Sequence, residues 1–274
     1  MPHNGENGTL LKVSKLLLTA LFALFSFHFA LADDAPQSKR EVVALECDRT
    51  LREALVIAPE TEGKHPLVFV FHGRKGSYTA ASKNMPIHNY YKEAIVVFPQ
   101  GLWCDKGRFR GNGWVMPSIK DEGRDIRFFD KLLETLLTRY NIDHNRIYAM
   151  GHSNGGGFTH ALWALRGEVF AAVAPTASGA SRLGEIAARQ CTKPAFFAAG
   201  IADEIVPIVR VKECIERALT TNRCKKGESR GKYTTLYKGK KGNDVMTYIH
   251  PGGHRFPQEV LPLITEFFRS HPKR

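Results

Sequence analysis

The sequence predicts an α/β fold in three layers, with a mostly parallel central sheet of about eight strands between two helical layers. Three observations carry this. Apolar runs of strand length recur along the chain and become near-continuous from residue 67 onward, the pattern of strands buried on both faces. Amphipathic helical patterns fall between them, most clearly over 125–140, where residues 128, 129, 132, 133, 136 and 137 form one apolar stripe. Finally, the stretch from Ile147 to Gly156 reads as a buried strand entering a tight glycine-flanked turn, followed by a segment of helical character.

Residues 1–32 differ in kind from the rest. Lys12 and Lys15 precede an apolar run from Leu16 to Ala30, and Ala30-Leu31-Ala32 offers a small-residue cleavage site before Asp33 and Asp34. This is the pattern of a secretory signal, and the run is too short for a comfortable membrane span. The expected organisation is a signal peptide over 1–32 and one globular domain over 33–274, secreted or periplasmic, with a retained anchor as the competing reading. No appended binding module is expected after the last helix.

The strand-like runs are Val42–Cys47, Leu51–Ile57, Leu67–Phe71, Ala94–Phe98, Arg146–Met150, Ala171–Ala174, Ala195–Ala199 and Val245–Ile249. The first two suit a hairpin through Asp48-Arg49-Thr50. Helices are expected over 125–140, 154–166, 206–220 and 258–269, with Arg124-Asp125 read as a cap with a local ion pair. The irregular, glycine-rich segment from Gln100 to Arg124 is long for a connection, and such loops often serve as lids or binding loops.

Of 274 residues, 43% are hydrophobic and 24% charged, which suits one globular domain rather than a disordered or fibrous chain. The net charge is +12, and +11 once residues 1–32 are removed. Attraction to acidic polymers or anionic cell surfaces is one reading of that balance, and a solvated cationic surface is the plainer one. Nucleic acid is a poor partner, because the basic residues are scattered apart from Lys225-Lys226 and the Lys238–Lys241 turn, without interleaved aromatics. Five cysteines in an exported chain (Cys47, Cys104, Cys191, Cys214, Cys224) make disulfides plausible, and a pair among the last three is expected. No cysteine or histidine spacing fits structural zinc.

Gly151-His152-Ser153-Asn154-Gly155 fits the G-x-S-x-G turn that lifts a serine hydroxyl above a sheet edge. A serine needs a base and a group to orient that base. Asp203 follows the strand that ends at Ala199, and His254 lies in a glycine-rich loop after the strand that ends at Ile249, so the chain order is Ser153, Asp203, His254. Glu204 rivals Asp203, which could also serve only as a helix cap, and His250 rivals His254. A metal site on His250 and His254 lacks a carboxylate at matching spacing, so no metal is expected.

An acyl-transfer site also needs donors for an oxyanion. The backbone N–H groups of Asn154 and of Arg74, in the His72-Gly73-Arg74 loop, are the candidates, and His72 is read as structural. Trp103 and Trp114 are candidate substrate-binding residues at the rim, or pins holding the long loop to the core. Trp163 has core spacing.

Taken together, His72-Gly73, Pro99-Gln-Gly101, Tyr140–Tyr148, Gly151–Gly156, Val169–Pro175, Asp203 with Val206-Pro207, and Gly252-Gly-His254 resemble the secreted polyhydroxybutyrate-depolymerase-like esterases, a group alongside the feruloyl and acetylxylan esterases. The likeness runs from about residue 41 to 270. It implies an α/β-hydrolase catalytic domain, no cofactor, the triad Ser153, Asp203 and His254, and a small or oligomeric ester substrate, either hydroxyalkanoate oligomers or acyl groups on carbohydrate. Stable membrane insertion after signal cleavage is not expected, and the oligomeric state is not legible. One departure is Arg74, where the family often has a small residue or cysteine; a cation there would crowd the acyl pocket or attract an anionic substrate. The alternatives are an oligopeptidase-like serine peptidase on the same triad and a non-catalytic secreted binding protein on the same fold.

Overall fold

The computed structural model describes residues 38–105, 110–118, 120–180 and 189–273. The expected signal segment, 1–32, lies outside the described residues. The strands are β1 (Ser38–Cys47), β2 (Thr50–Pro59), β3 (His65–Phe71), β4 (Ile95–Pro99), β5 (Trp103–Cys104), β6 (Gly111–Asn112), β7 (Ile142–His152), β8 (Ala172–Thr176), β9 (Ala195–Gly200), β10 (Glu228–Ser229), β11 (Thr234–Tyr237) and β12 (Val245–His250). The helices are α1 (Tyr78–Asn84), α2 (Arg124–Arg139), α3 (Asn154–Leu165), α4 (Ile208–Thr221) and α5 (Val260–Arg269).

The main sheet has ten strands in the order β1-β2-β4-β3-β7-β8-β9-β12-β11-β10. Its six central strands, β4 to β12 in that order, pair in parallel, and antiparallel pairs extend it at both edges. All eight sequence-predicted strands are present. The count exceeds the expected eight because β10 and β11, of two and four residues, are too short to leave an apolar run. The β1–β2 hairpin turns at Asp48 and Arg49, whose φ values of 52° and 58° are those of a two-residue primed turn.

Two cores cover the two faces of the sheet. One contains Phe69, Phe71, Val97 and Phe197 with Phe128 and Leu132 of α2, Phe158 and Leu162 of α3, and Val211 of α4. The other contains Val68, Val70, Tyr148 and Phe196 with Ala81 of α1 and Ile264 and Phe267 of α5. Alternate residues of one strand therefore feed opposite cores, which is why those strands read as unbroken apolar runs. Helix α1 left no signal in the sequence: it spans seven residues with no apolar stripe, and is started by Ser77, whose Oγ accepts from the Ala80 N–H at 3.1 Å.

Two expectations are corrected. The N-cap of α2 is Gly123, with no side-chain cap. Asp125 does lie 3.7 Å from Arg124, but its carboxylate is buried and committed elsewhere: Oδ1 accepts from Arg52 Nη2 at 2.8 Å and Oδ2 from the Val115 N–H at 2.8 Å. The cysteine expectation also changes, since Cys47, Cys104, Cys191, Cys214 and Cys224 are all free thiols. Cys214 faces the buried side of α4, where its sulfur accepts from the Ala180 N–H, whereas Cys191 is exposed. No helix among the described residues is long and apolar enough to cross a membrane.

Candidate active site

β7 delivers Ser153 to the carboxyl edge of the parallel strands, and α3 begins at the next residue. The turn is strained, with Ser153 at φ 57° and ψ −118°, a conformation L-residues rarely adopt outside functional turns. Steric demands explain the flanking glycines. A Cβ on Gly151 would lie 2.4 Å from the Gly155 carbonyl oxygen, and one on Gly155 would lie 2.1 Å from the Phe71 carbonyl oxygen. Strand β7, helix α3 and strand β3 can close on one another only with hydrogen at those two positions.

Three sequence-predicted side chains meet at this edge. His254 Nε2 lies 2.8 Å from Ser153 Oγ, and His254 Nδ1 lies 2.7 Å from Asp203 Oδ2. An ionised carboxylate only accepts, so Nδ1 carries the proton and Nε2 is left free to accept from the serine hydroxyl. The Asp203 side chain is 1% exposed and that of His254 19%, so the acid is shielded while the imidazole can be reached. Oδ1 of Asp203 also accepts from the Ile205 and Val206 N–H groups at 2.9 and 2.8 Å. The capping reading of Asp203 therefore holds for one oxygen while the other faces His254. Glu204 is exposed, and His250 Nδ1 accepts from the Gly252 N–H at 3.1 Å, which shapes the loop that carries His254.

The oxyanion candidates sit on either side of the hydroxyl. Asn154 opens α3, where the helix end favours negative charge, and Gly73 is close enough that a Cβ on it would lie 3.5 Å from Ser153 Cβ. Among the described residues no acceptor engages the backbone N–H of Asn154 or of Arg74. The Arg74 loop is braced on both sides: Lys75 N–H donates to the Asn112 carbonyl at 2.7 Å, and buried His72 donates from Nδ1 to the Gly73 carbonyl at 2.7 Å and accepts at Nε2 from the Gly101 N–H at 2.9 Å. Burial lowers the His72 pKa from its ordinary value, which keeps the ring neutral and able to accept.

The two tryptophans part company. Trp103, on β5, is 60% exposed. Trp114 is 1% exposed, stacks on Phe158 at 4.9 Å and donates from Nε1 to the His72 carbonyl at 2.9 Å. The substrate-binding expectation for Trp114 is corrected: its ring is spent on the core and pins the long loop to the His72–Gly76 segment. Trp163 is buried, as its spacing predicts.

Two further side chains belong to the site and went unread in the sequence. The Asn154 amide makes a reciprocal pair with the Trp114 backbone, with Oδ1 accepting from N–H at 2.7 Å and Nδ2 donating to the carbonyl at 3.1 Å. His152 donates from Nε2 to the His254 carbonyl at 2.7 Å, and burial, helped by the nearby His254, drives its pKa down to about 4. Both occupy variable positions of the pentapeptide, so the motif carries no signal for either.

Among solved structures, an acetyl xylan esterase from Aspergillus awamori superposes with a TM-score of 0.66 over 84% of this chain and 99% of its own, at 13% identity. A ferulic acid esterase superposes with a TM-score of 0.57 over 85% of this chain and 99% of its own, at 16% identity. The chain has the α/β-hydrolase fold. In sequence, this hydrolase-fold chain is 31% identical to feruloyl esterase D of Neurospora crassa over 172 residues, 60% of this chain and 54% of the relative. The chain thus spans about half the length of that curated relative. No protein-family model matches it. Its sequence and fold are similar to those of feruloyl and acetylxylan esterases.

Proposed function

We propose that this chain is a secreted serine esterase acting on acyl groups borne by carbohydrate. The observation that carries the reading is the unbroken hydrogen-bond series from Ser153 Oγ through His254 to Asp203 at the strand ends. In the proposed reaction His254 Nε2 takes the proton of Ser153 as Oγ attacks the ester carbonyl. The resulting oxyanion is held by the Asn154 and Arg74 N–H groups. His254, now an imidazolium oriented and stabilised by Asp203, returns the proton to the leaving alkoxide, and water then releases the acyl group by the same steps in reverse order. The relatives named above favour carbohydrate esters over hydroxyalkanoate oligomers.

The test is hydrolysis of p-nitrophenyl esters from acetate to octanoate, methyl ferulate, acetylated xylan oligomers and soluble hydroxybutyrate oligomers by wild type and Ser153→Ala. Loss of at least about 10⁴-fold in kcat in the variant is expected. Equal activity in the two proteins, or none in either on every ester, overturns the proposal and turns attention to peptides and to binding.

A further inference from the structure

A cleft of about 570 Å³ opens beside the nucleophile, bordered by Gly73, Arg74, Lys75, His152, Arg255 and Phe256. Its near wall is the oxyanion loop, within van der Waals reach of Ser153 across Gly73, and its far wall begins at the residue after His254. Among the described residues three of its lining side chains are cationic, and no Asp or Glu lines it. Among the described residues none of the three has a carboxylate or hydrogen-bond partner. That is uncommon for Arg74: its Nη1 is buried without a partner, lodged against Gly113 so closely that a Cβ there would lie 2.7 Å away. A half-buried guanidinium normally recovers its desolvation cost through a hydrogen-bonded anion. Here the described residues supply none, and the open side of the cleft is where one can enter.

We propose that this cleft recognises a carboxylate on the alcohol portion of the substrate, as on an acidic sugar next to the acylated hydroxyl. The inference rests on the esterase reading and narrows its substrate class. The alcohol portion is chosen because the leaving alkoxide must lie at His254 Nε2, and the two residues that follow His254 in the chain, Arg255 and Phe256, line the cleft. Arg74 and Arg255 act on this carboxylate as specificity residues, with Lys75 adding charge at the rim.

The experiment compares 4-acetoxybenzoate with its neutral isostere 4-acetoxybenzamide on the alcohol side, and mono-4-nitrophenyl adipate with 4-nitrophenyl hexanoate on the acyl side. Wild type, Arg255→Gln, Arg74→Gln and Arg74→Lys are assayed at low and high salt. The kcat/KM ratio of 4-acetoxybenzoate to its amide is expected to fall about tenfold in each Gln variant, to return in Arg74→Lys, and to fall in wild type between 20 mM and 0.5 M salt. Arg255 is exposed, so its variant keeps the test open if the Arg74 variants fold poorly. An unchanged ratio in both Gln variants, or a charge preference confined to the acyl pair, overturns the proposal. Ser153-dependent hydrolysis of the neutral amide isostere reports separately on the esterase reading.

Discussion

The two loops that converge on Ser153 are held in place by different means. After β3, residues 72–76 rest on buried side chains: His72 bonds to Gly73 and Gly101, Trp114 bonds to the His72 carbonyl, and the Arg52–Asp125 pair fixes the carbonyl of Gln100 and the N–H of Val115 beneath them. After β12, the segment 250–254 hangs on backbone bonds and on three side chains from elsewhere, with the Gly252 carbonyl bonded to Ala202, the His254 carbonyl to His152 and the His254 ring to Asp203 and Ser153. Under the proposed mechanism the difference suits the two tasks. Oxyanion donors act by standing still where charge develops, so a rigid foundation serves them. A base needs only its ring oriented, and one carboxylate does that.

The sharpest way to break the comparison is at that carboxylate. In Asp203→Asn the remaining oxygen still accepts from Ile205 and Val206, so the turn survives, but an amide NH₂ cannot accept from His254 Nδ1–H and the imidazole is left in the wrong tautomer. Stopped assays with p-nitrophenyl acetate should show kcat reduced about 10⁴-fold, with thermal melting close to wild type. A loss below tenfold means that His254 is oriented by something other than Asp203.

The foundation is tested at Trp114. Trp114→Ala should cost about 3–5 kcal/mol in urea unfolding, since it removes a fully buried ring stacked on Phe158 and one buried hydrogen bond. Trp103→Ala, at an exposed position on the same connection, should stay within about 0.5 kcal/mol of wild type. If the two cost the same, the long loop is not what supports the oxyanion segment.

This contrast also marks where sequence reading stopped. That Ser153, Asp203 and His254 would meet was legible because each follows an apolar strand run, and the elbow glycines were legible because close approach forbids a Cβ. Trp103 and Trp114 were not separable, because they share one irregular segment with no periodicity to say which ring turns inward. Asp125 looked like a helix cap because its true partner, Arg52, is 73 residues away and the ion pair forms only when β2 and α2 come together. The bracing by Asn154 and His152 was hidden for a related reason: the pentapeptide constrains its glycines and serine by local sterics, whereas its two variable positions are chosen by the loops they meet.

The histidines supply a smaller test, one of whose members, His152, bears on the loop after β12. Burial lowers the pKa of His88 to about 4, of His152 to about 4 and of His160 to about 3, against an ordinary value of 6.5. Each is neutral in the folded protein and protonates more readily when unfolded, so folding stability is fully present above about pH 6.5 and falls as pH drops toward the folded values. Between about pH 6.5 and 5.5 ordinary carboxylates stay ionised, so the slope in that window belongs to histidine. Urea unfolding should lose about 2–3 kcal/mol across it, about 1 kcal/mol for each ring and less for His88, which is only part-buried. His160→Gln should flatten the slope, because this side chain is fully buried and its Nε2 has no partner. His152→Gln should flatten it too, and should also lower kcat, since it removes the donor to the His254 carbonyl. If His152→Gln changes the slope but leaves kcat untouched, the loop carrying His254 stands without His152, and is held still more lightly than its bonds suggest.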